Sequence, residues 1–180
     1  MEEHIKIIGI DPGNHLGLAI LHINPINMVI EYIDTRTITL ETYSLSKDLN
    51  FRLLLLQNII TDIYYNIKPN CVAMEAAFLN SRYPKAVVQL SQYTGLIECT
   101  FNSVDPTLPI IKYPPMYVKS IAGGTGKADK NDMASAVINN KELSSLINIE
   151  IMTEHEIDAV CIAYTALLEI KKYNMYLLAM

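Results

Sequence analysis

Cysteine is scarce in this chain. Three of its 180 residues are cysteine, and Cys71, Cys99 and Cys161 are too scattered and odd in number for a disulfide framework or a zinc site. Reduced, buried thiols are expected. Long apolar runs are missing too. Spanning a bilayer takes roughly 18 residues, and the richest run, Leu53 to Tyr65, is broken by Gln57, Asn58 and Asp62. The start, Met-Glu-Glu-His, lacks the basic-then-apolar layout of a signal peptide. There is no repeat, no low-complexity tract and no dividing linker, so residues 1–180 read as a single domain. Charge is sparse, at 18% charged against 51% hydrophobic. That is a folded composition with enough length to bury a core.

Positive charge is in short supply. The net charge of −5 argues mildly against a nucleic-acid binder. The distribution is uneven, however. From Phe78 to Asp132, six basic residues (Arg82, Lys85, Lys112, Lys119, Lys127, Lys130) face four acids, a balance of +2, and the remainder carries −7. A locally basic face and random scatter both explain this equally well.

What is present is a run of alternating elements. Ile5 to Asp11 reads as a first strand, and Leu16 to Ile23 as a second after a Pro-Gly-Asn turn. Met28 to Ile38 suits a third, antiparallel strand. Apolar residues at helical spacing over Ser46 to Ile67 predict a helix, stopped by Lys68-Pro69-Asn70. A short strand over Cys71 to Ala77, a helix over Pro84 to Cys99 and a strand over Pro109 to Tyr113 follow, the last closed by Pro114-Pro115. A glycine-rich loop spans Ile121 to Lys127, and helices cover Asp129 to Asn139 and Glu154 to Tyr173. A meander followed by alternating β and α elements is a mixed α/β layout, with the first strand central and later strands parallel to it.

Three acids stand at element ends. Asp11 closes the first strand, Glu75 lies at the end of the apolar strand in CVAMEAAFLNS, and Asp158 is near the start of the last helix. His155 shares a helix face with Asp158, and Glu154 can face the same way. Taken singly, each has an ordinary reading. Asp11 suits a turn before Pro-Gly, Glu75 an ion pair, Asp158 the helix dipole, and His155 a plain surface. Taken together, buried carboxylates on neighbouring elements repel unless something positive lies between them. Mg²⁺ or Mn²⁺ suits such oxygen ligands, and an imidazole favours Mn²⁺. Two ions about 4 Å apart can activate a water and stabilise a leaving oxygen on phosphate. The segment GGTGKADK lacks the spacing of a phosphate-binding P-loop. A flexible loop whose glycines let backbone approach phosphates suits it better.

This joint pattern resembles the RuvC family of Holliday-junction resolvases, over most of the chain. IGIDPGNHLGLAI looks like the family's first-strand motif, and VAMEAAFLNSRYPKAVVQLSQYTGLI like its second. YVKSIAGGTGKADKNDM is similar to its lysine and glycine segment, and HEIDAVCIAYTAL to its last motif. The resemblance implies a ribonuclease H-like fold, a mixed five-stranded sheet flanked by helices. It implies metal ligands at Asp11, Glu75, His155 and Asp158, with two Mg²⁺ ions that Mn²⁺ can replace. His155 departs from the commoner Asp of the family, which leaves His155 and Glu154 as alternatives for the fourth ligand. Lys119 would join the catalytic set, and Phe78, Arg82, Lys119, Lys127 and Lys130 would contact DNA. Phe78 reads equally as a core residue. The implied activity is paired, symmetric cleavage of a four-way junction by a homodimer, giving 5′-phosphate and 3′-hydroxyl ends. The implied location is the cytoplasm, at the nucleoid, or a host cytoplasm for a phage protein. A same-fold nuclease acting on flaps or forks is the nearest alternative. An ATPase of the actin and sugar-kinase type is more distant, since it needs a second Asp-x-Gly hairpin and about twice this length.

Overall fold

The computed structural model describes residues 4–41, 48–77 and 84–173. Its elements in chain order are β1 (Ile5–Asp11), β2 (His15–Ile23), β3 (Ile30–Thr39), α1 (Leu49–Ile67) and β4 (Cys71–Glu75). Next come α2 (Pro84–Val104), β5 (Ile110–Tyr113), α3 (Pro115–Ala122), α4 (Lys130–Asn139) and α5 (Glu154–Tyr173). The strands form one sheet in the order β3-β2-β1-β4-β5. β1 pairs antiparallel with β2 and parallel with β4, which pairs parallel with β5. The mixed five-stranded sheet with a central first strand is as the sequence led one to expect.

Both faces of the sheet are covered, which is why β1 reads as a nearly unbroken apolar run. Alternation along the strands divides the core in two. Ile8, Ile10, Leu18, Ile20, Val72 and Met74 pack with α1 and α2. Ile5, Ile7, Ala19, Leu21, Cys71 and Ala73 pack with α5. α5 rests on β1, β2 and β4, while α3 and α4 pack against its other side. Covered from both sides, it buries ten residues between Ala159 and Ile170.

The helix ends are well specified. Asp48 caps α1 by accepting from the Asn50 N–H, and Lys68 closes it in a left-handed conformation at φ 51°. Asp129 and Asp132 form a reciprocal capping box on α4. Three features differ from the sequence reading. α2 runs on to Val104 instead of stopping at Cys99, because Phe101 is fully buried and packing overrides the weak helix preference of Thr100 to Ser103. α3 was read as a stop at Pro114-Pro115. Pro115 instead takes the first helical position, where its missing N–H costs nothing. Finally, Cys71 and Cys161 are buried but Cys99 is exposed, since α2 turns Tyr93, Ile97 and Phe101 inward.

Two strand glycines set how closely α5 approaches the sheet. A Cβ on Gly9 would lie 2.1 Å from the Ala159 carbonyl oxygen and 2.8 Å from the Ala163 Cβ. One on Gly17 would lie 2.0 Å from the His155 carbonyl oxygen. In both cases the obstacle includes helix backbone, which cannot swing aside. Gly9→Ala and Gly17→Ala should each lower unfolding free energy by about 1–3 kcal/mol, the usual range for overpacking. Urea denaturation measures this, and an unchanged midpoint would show that α5 yields freely.

Candidate active site

The same alternation places the acids. Ile7, Gly9 and Asp11 point from β1 to the α5 side, and Cys71, Ala73 and Glu75 do so from β4. The parallel register pairs Ile10 with Met74, so Asp11 and Glu75 leave their strands side by side at the same end of the sheet. α5 crosses above them and brings Asp158. Asp11, Glu75 and Asp158 line one cleft of about 220 Å³, together with Lys119, Pro115, Val118, Met133 and Ile162.

His155 is placed one turn earlier on α5. Its Nδ1–H donates to Asp11 Oδ2 at 2.8 Å, and its ring stacks on His15, with centroids 5.7 Å apart. Glu154 turns away to an ion pair with Lys130 and leaves 3.8 Å between its Oε1 and His155 Nε2. His155 is therefore the one bonded to a cleft acid. The start of α5 is tied to β3, where the Thr37 hydroxyl donates to Glu156 Oε1 at 3.0 Å. α3 is tied to α5 through Glu169, whose two carboxylate oxygens accept from the Tyr113 and Tyr117 hydroxyls at 2.7 and 2.6 Å. That clamp holds the helix carrying Lys119.

The cleft is electrostatically tense. Burial, then the neighbouring acids, outweigh the His155 hydrogen bond and push the Asp11 carboxyl up to about 6. Burial and repulsion from Asp11 and Asp158 push Glu75 up to about 7, with Lys119 pulling the other way. Asp158 is raised mainly by burial and eased by His155, Lys119 and Lys130. Among the described residues, no three His, Cys, Asp or Glu side chains converge into a ready-made metal shell. The donors still fit a hard divalent cation in kind. They are half-buried carboxylates with too little positive charge nearby, and a cation between them relieves burial and repulsion together.

The remaining expected site residues are spread out. Lys119 is half-buried at the cleft, Lys130 is exposed beside it on the Glu154 ion pair, and Lys127 is exposed in the glycine loop. Phe78 and Arg82 lie outside the described residues. Sequence reasoning overlooked Gly9 and Gly17. Their signal was available, since a glycine inside a strand marks close backbone approach.

A mixed sheet with carboxylates at the ends of two adjacent parallel strands and on the helix crossing them is the architecture of the ribonuclease H-like class. The family model for crossover junction endodeoxyribonuclease RuvC matches residues 7–166, and the chain belongs to the RuvC family. A curated relative, the crossover junction endodeoxyribonuclease RuvC of Prochlorococcus marinus (strain NATL2A), is 32% identical over 142 residues. That match covers 78% of this chain and 86% of the relative. The Thermus thermophilus RuvC structure superposes with a TM-score of 0.69 at 22% identity, over 93% of this chain and 97% of that one. The T. thermophilus RuvC complex with Holliday junction substrate gives 0.67 at 21%, over 93% and 96%. At these identities the structural likeness speaks for the fold. The family match leaves no ground for the ATPase alternative.

Asp11 and Glu75 both bind protons more tightly folded than unfolded. Their contribution to stability is therefore complete below about pH 4 and is lost as pH rises through about 6 to 7, from ordinary values of 3.8 and 4.5. In metal-free protein, Asp11→Asn should flatten this fall and raise unfolding free energy at pH 7.5 by on the order of 1–3 kcal/mol. Denaturation at a series of pH values in EDTA checks this, and an unchanged or steeper slope would contradict it.

Proposed function

We propose that the chain is a metal-dependent, structure-specific endodeoxyribonuclease, a single nuclease domain that resolves four-way DNA junctions by paired phosphodiester hydrolysis. The observation that carries the reading is the cleft itself, in which three proton-hungry carboxylates face a lysine in a member of a crossover junction endodeoxyribonuclease family. The T. thermophilus relative bound to Holliday junction substrate supports the choice of DNA. Asp11, Glu75 and Asp158 hold divalent metal, with His155 orienting Asp11 through its Nδ1–H or joining the ligand set. Mg²⁺ is the expected ion, two per site, with Mn²⁺ able to replace it. Bound there, the metal supplies an activated water and neutralises charge on the phosphate.

The chain's own residues do the rest. Lys119, on the clamped α3, sets a fixed positive charge against the phosphate as charge builds on it. Lys130 reaches the backbone phosphates when it exchanges Glu154 for DNA, and Lys127 adds charge from the loop. Phe78 and Arg82, just past Glu75 in sequence, contact the junction. Base stacking on an aromatic is worth about 1–3 kcal/mol. Two such chains work as a homodimer, so that two nicks fall symmetrically. The place of action is the cytoplasm, where the DNA of such a nuclease lies. No helix of the described residues is long and apolar enough to cross a membrane.

The test compares a four-way junction, a flap, a fork and linear duplex, each with Mg²⁺, Mn²⁺ or EDTA. Paired, metal-dependent nicks confined to the four-way junction are expected. Preference for flaps or forks would redirect the substrate assignment. Asp11→Asn and Glu75→Gln should abolish cleavage while junction binding persists. Lys119→Ala should slow cleavage by about 10²-fold. Lys130→Ala should weaken binding and reduce the salt slope by about 1. An unchanged slope would remove Lys130 from the DNA face. Sedimentation at micromolar concentration should show a dimer, and a monomer with and without junction DNA would overturn that part.

A further inference from the structure

We propose that Asn14 is a positioning residue for the Asp11 carboxylate, acting through a hydrogen-bond node that joins the β1–β2 turn to α1 and α2. The inference rests on the nuclease reading of the cleft and adds a residue to it. Asn14 is the third residue past Asp11. Its Oδ1 accepts from the Tyr93 hydroxyl at 2.7 Å, Gln89 Nε2 at 2.9 Å and Arg52 Nη1 at 3.1 Å. Its Nδ2 donates to Glu41 Oε1 at 2.6 Å, and its backbone carbonyl accepts from the Leu40 N–H at 2.8 Å. One side chain thus ties the turn to the end of β3, to α1 and to α2.

The node acts on the strand end that carries Asp11. β1 fixes the backbone of Asp11, and the turn that follows fixes where that strand ends. Gln89 is on the second turn of α2 and Tyr93 on the third. Bonds to those two residues lock the turn after Asp11 against α2. The surroundings leave room for movement if the lock is cut. A cavity of about 260 Å³ opens beside the turn, lined by Gly13, Asn14, Ala86, Gln89, Leu90 and Tyr93.

Stability alone does not account for the arrangement. Arg52 is largely buried, with a side chain 12% exposed, and its Nε is buried with no hydrogen-bond partner among the described residues. Its Nη1 is shared between Asn14 and Glu41. An unpaired buried donor is a standing penalty. It is tolerated at a node three residues past Asp11, on the turn that ends the strand carrying that acid.

The test uses full-length Asn14→Ala, Tyr93→Phe, their double variant and the swapped pair Asn14→Asp/Glu41→Gln. The swap keeps the acceptor for Arg52, Gln89 and Tyr93 and reverses the polarity of the contact with Glu41. Single-turnover cleavage of a four-way junction at saturating Mn²⁺ is read beside junction Kd and, by calorimetry without DNA, Mn²⁺ affinity. Asn14→Ala should slow cleavage by about 10-fold to 10²-fold and weaken Mn²⁺ binding, with junction Kd unchanged. Tyr93→Phe should lose less, the double variant should fall short of the product of the two, and the swap should recover most of the rate. Unchanged cleavage and Mn²⁺ affinity in folded Asn14→Ala would overturn the proposal. So would a loss that only tracks the folded fraction or junction Kd. Should wild type cleave no junction, the nuclease reading fails separately, and the Mn²⁺ comparison still decides whether Asn14 positions Asp11.

Discussion

Close seating of α5 on the sheet is the constraint on which the rest depends. Gly9 and Gly17 present bare backbone to the carbonyls of Ala159 and His155, and a methyl group at either place would collide with the helix. With the helix this close, Asp158 reaches the cleft that Asp11 and Glu75 line, and His155 reaches Asp11 itself. A wider spacing would pull the helix residues away from the strand residues. The remaining fastenings, Glu156 to β3 and Glu169 to the two tyrosines, hold the same helix at its two ends.

Seating creates the electrostatic problem that function answers. Three carboxylates share a partly dry cleft, and two of them hold protons up to about 6 and about 7. Lys119 eases the tension without removing it. A site so arranged favours the arrival of positive charge, and the family to which the chain belongs consists of nucleases that act on a polyanion. The acidic net charge of −5 is compatible with this, because Lys119 lines the cleft and Lys130 stands beside it.

Much of the fold was legible because its signals are local. The apolar run of β1, the Pro-Gly turn, the helical spacing of α1 and the acid-bearing strand ends all stand in short stretches of sequence. Asp11, Glu75, Asp158 and Lys119 could be named, although nothing local showed that they line one cleft. α3 was missed because Pro115 reads as a breaker unless its place in the helix is known. The end of α2 was missed because Phe101 is held by packing and not by propensity. The Asn14 node was invisible for a related reason. Its partners Glu41, Arg52, Gln89 and Tyr93 are distant in sequence, and only the closed fold makes them neighbours. Likewise, no local pattern pairs His155 with Asp11 and leaves Glu154 to Lys130.

The parallel pairing of β1 with β4 has a consequence for how such a protein can change over time. Strands paired in parallel end at the same edge, so the backbones of Asp11 and Glu75 are separated by one interstrand step of about 4.8 Å. That spacing belongs to the ladder and not to the long excursion between the strands through β2, β3 and α1. Insertions and deletions in the outer loops therefore leave the spacing of the two acids intact. The periphery can be remodelled while the spacing of these two strand-end acids stays as the ladder sets it.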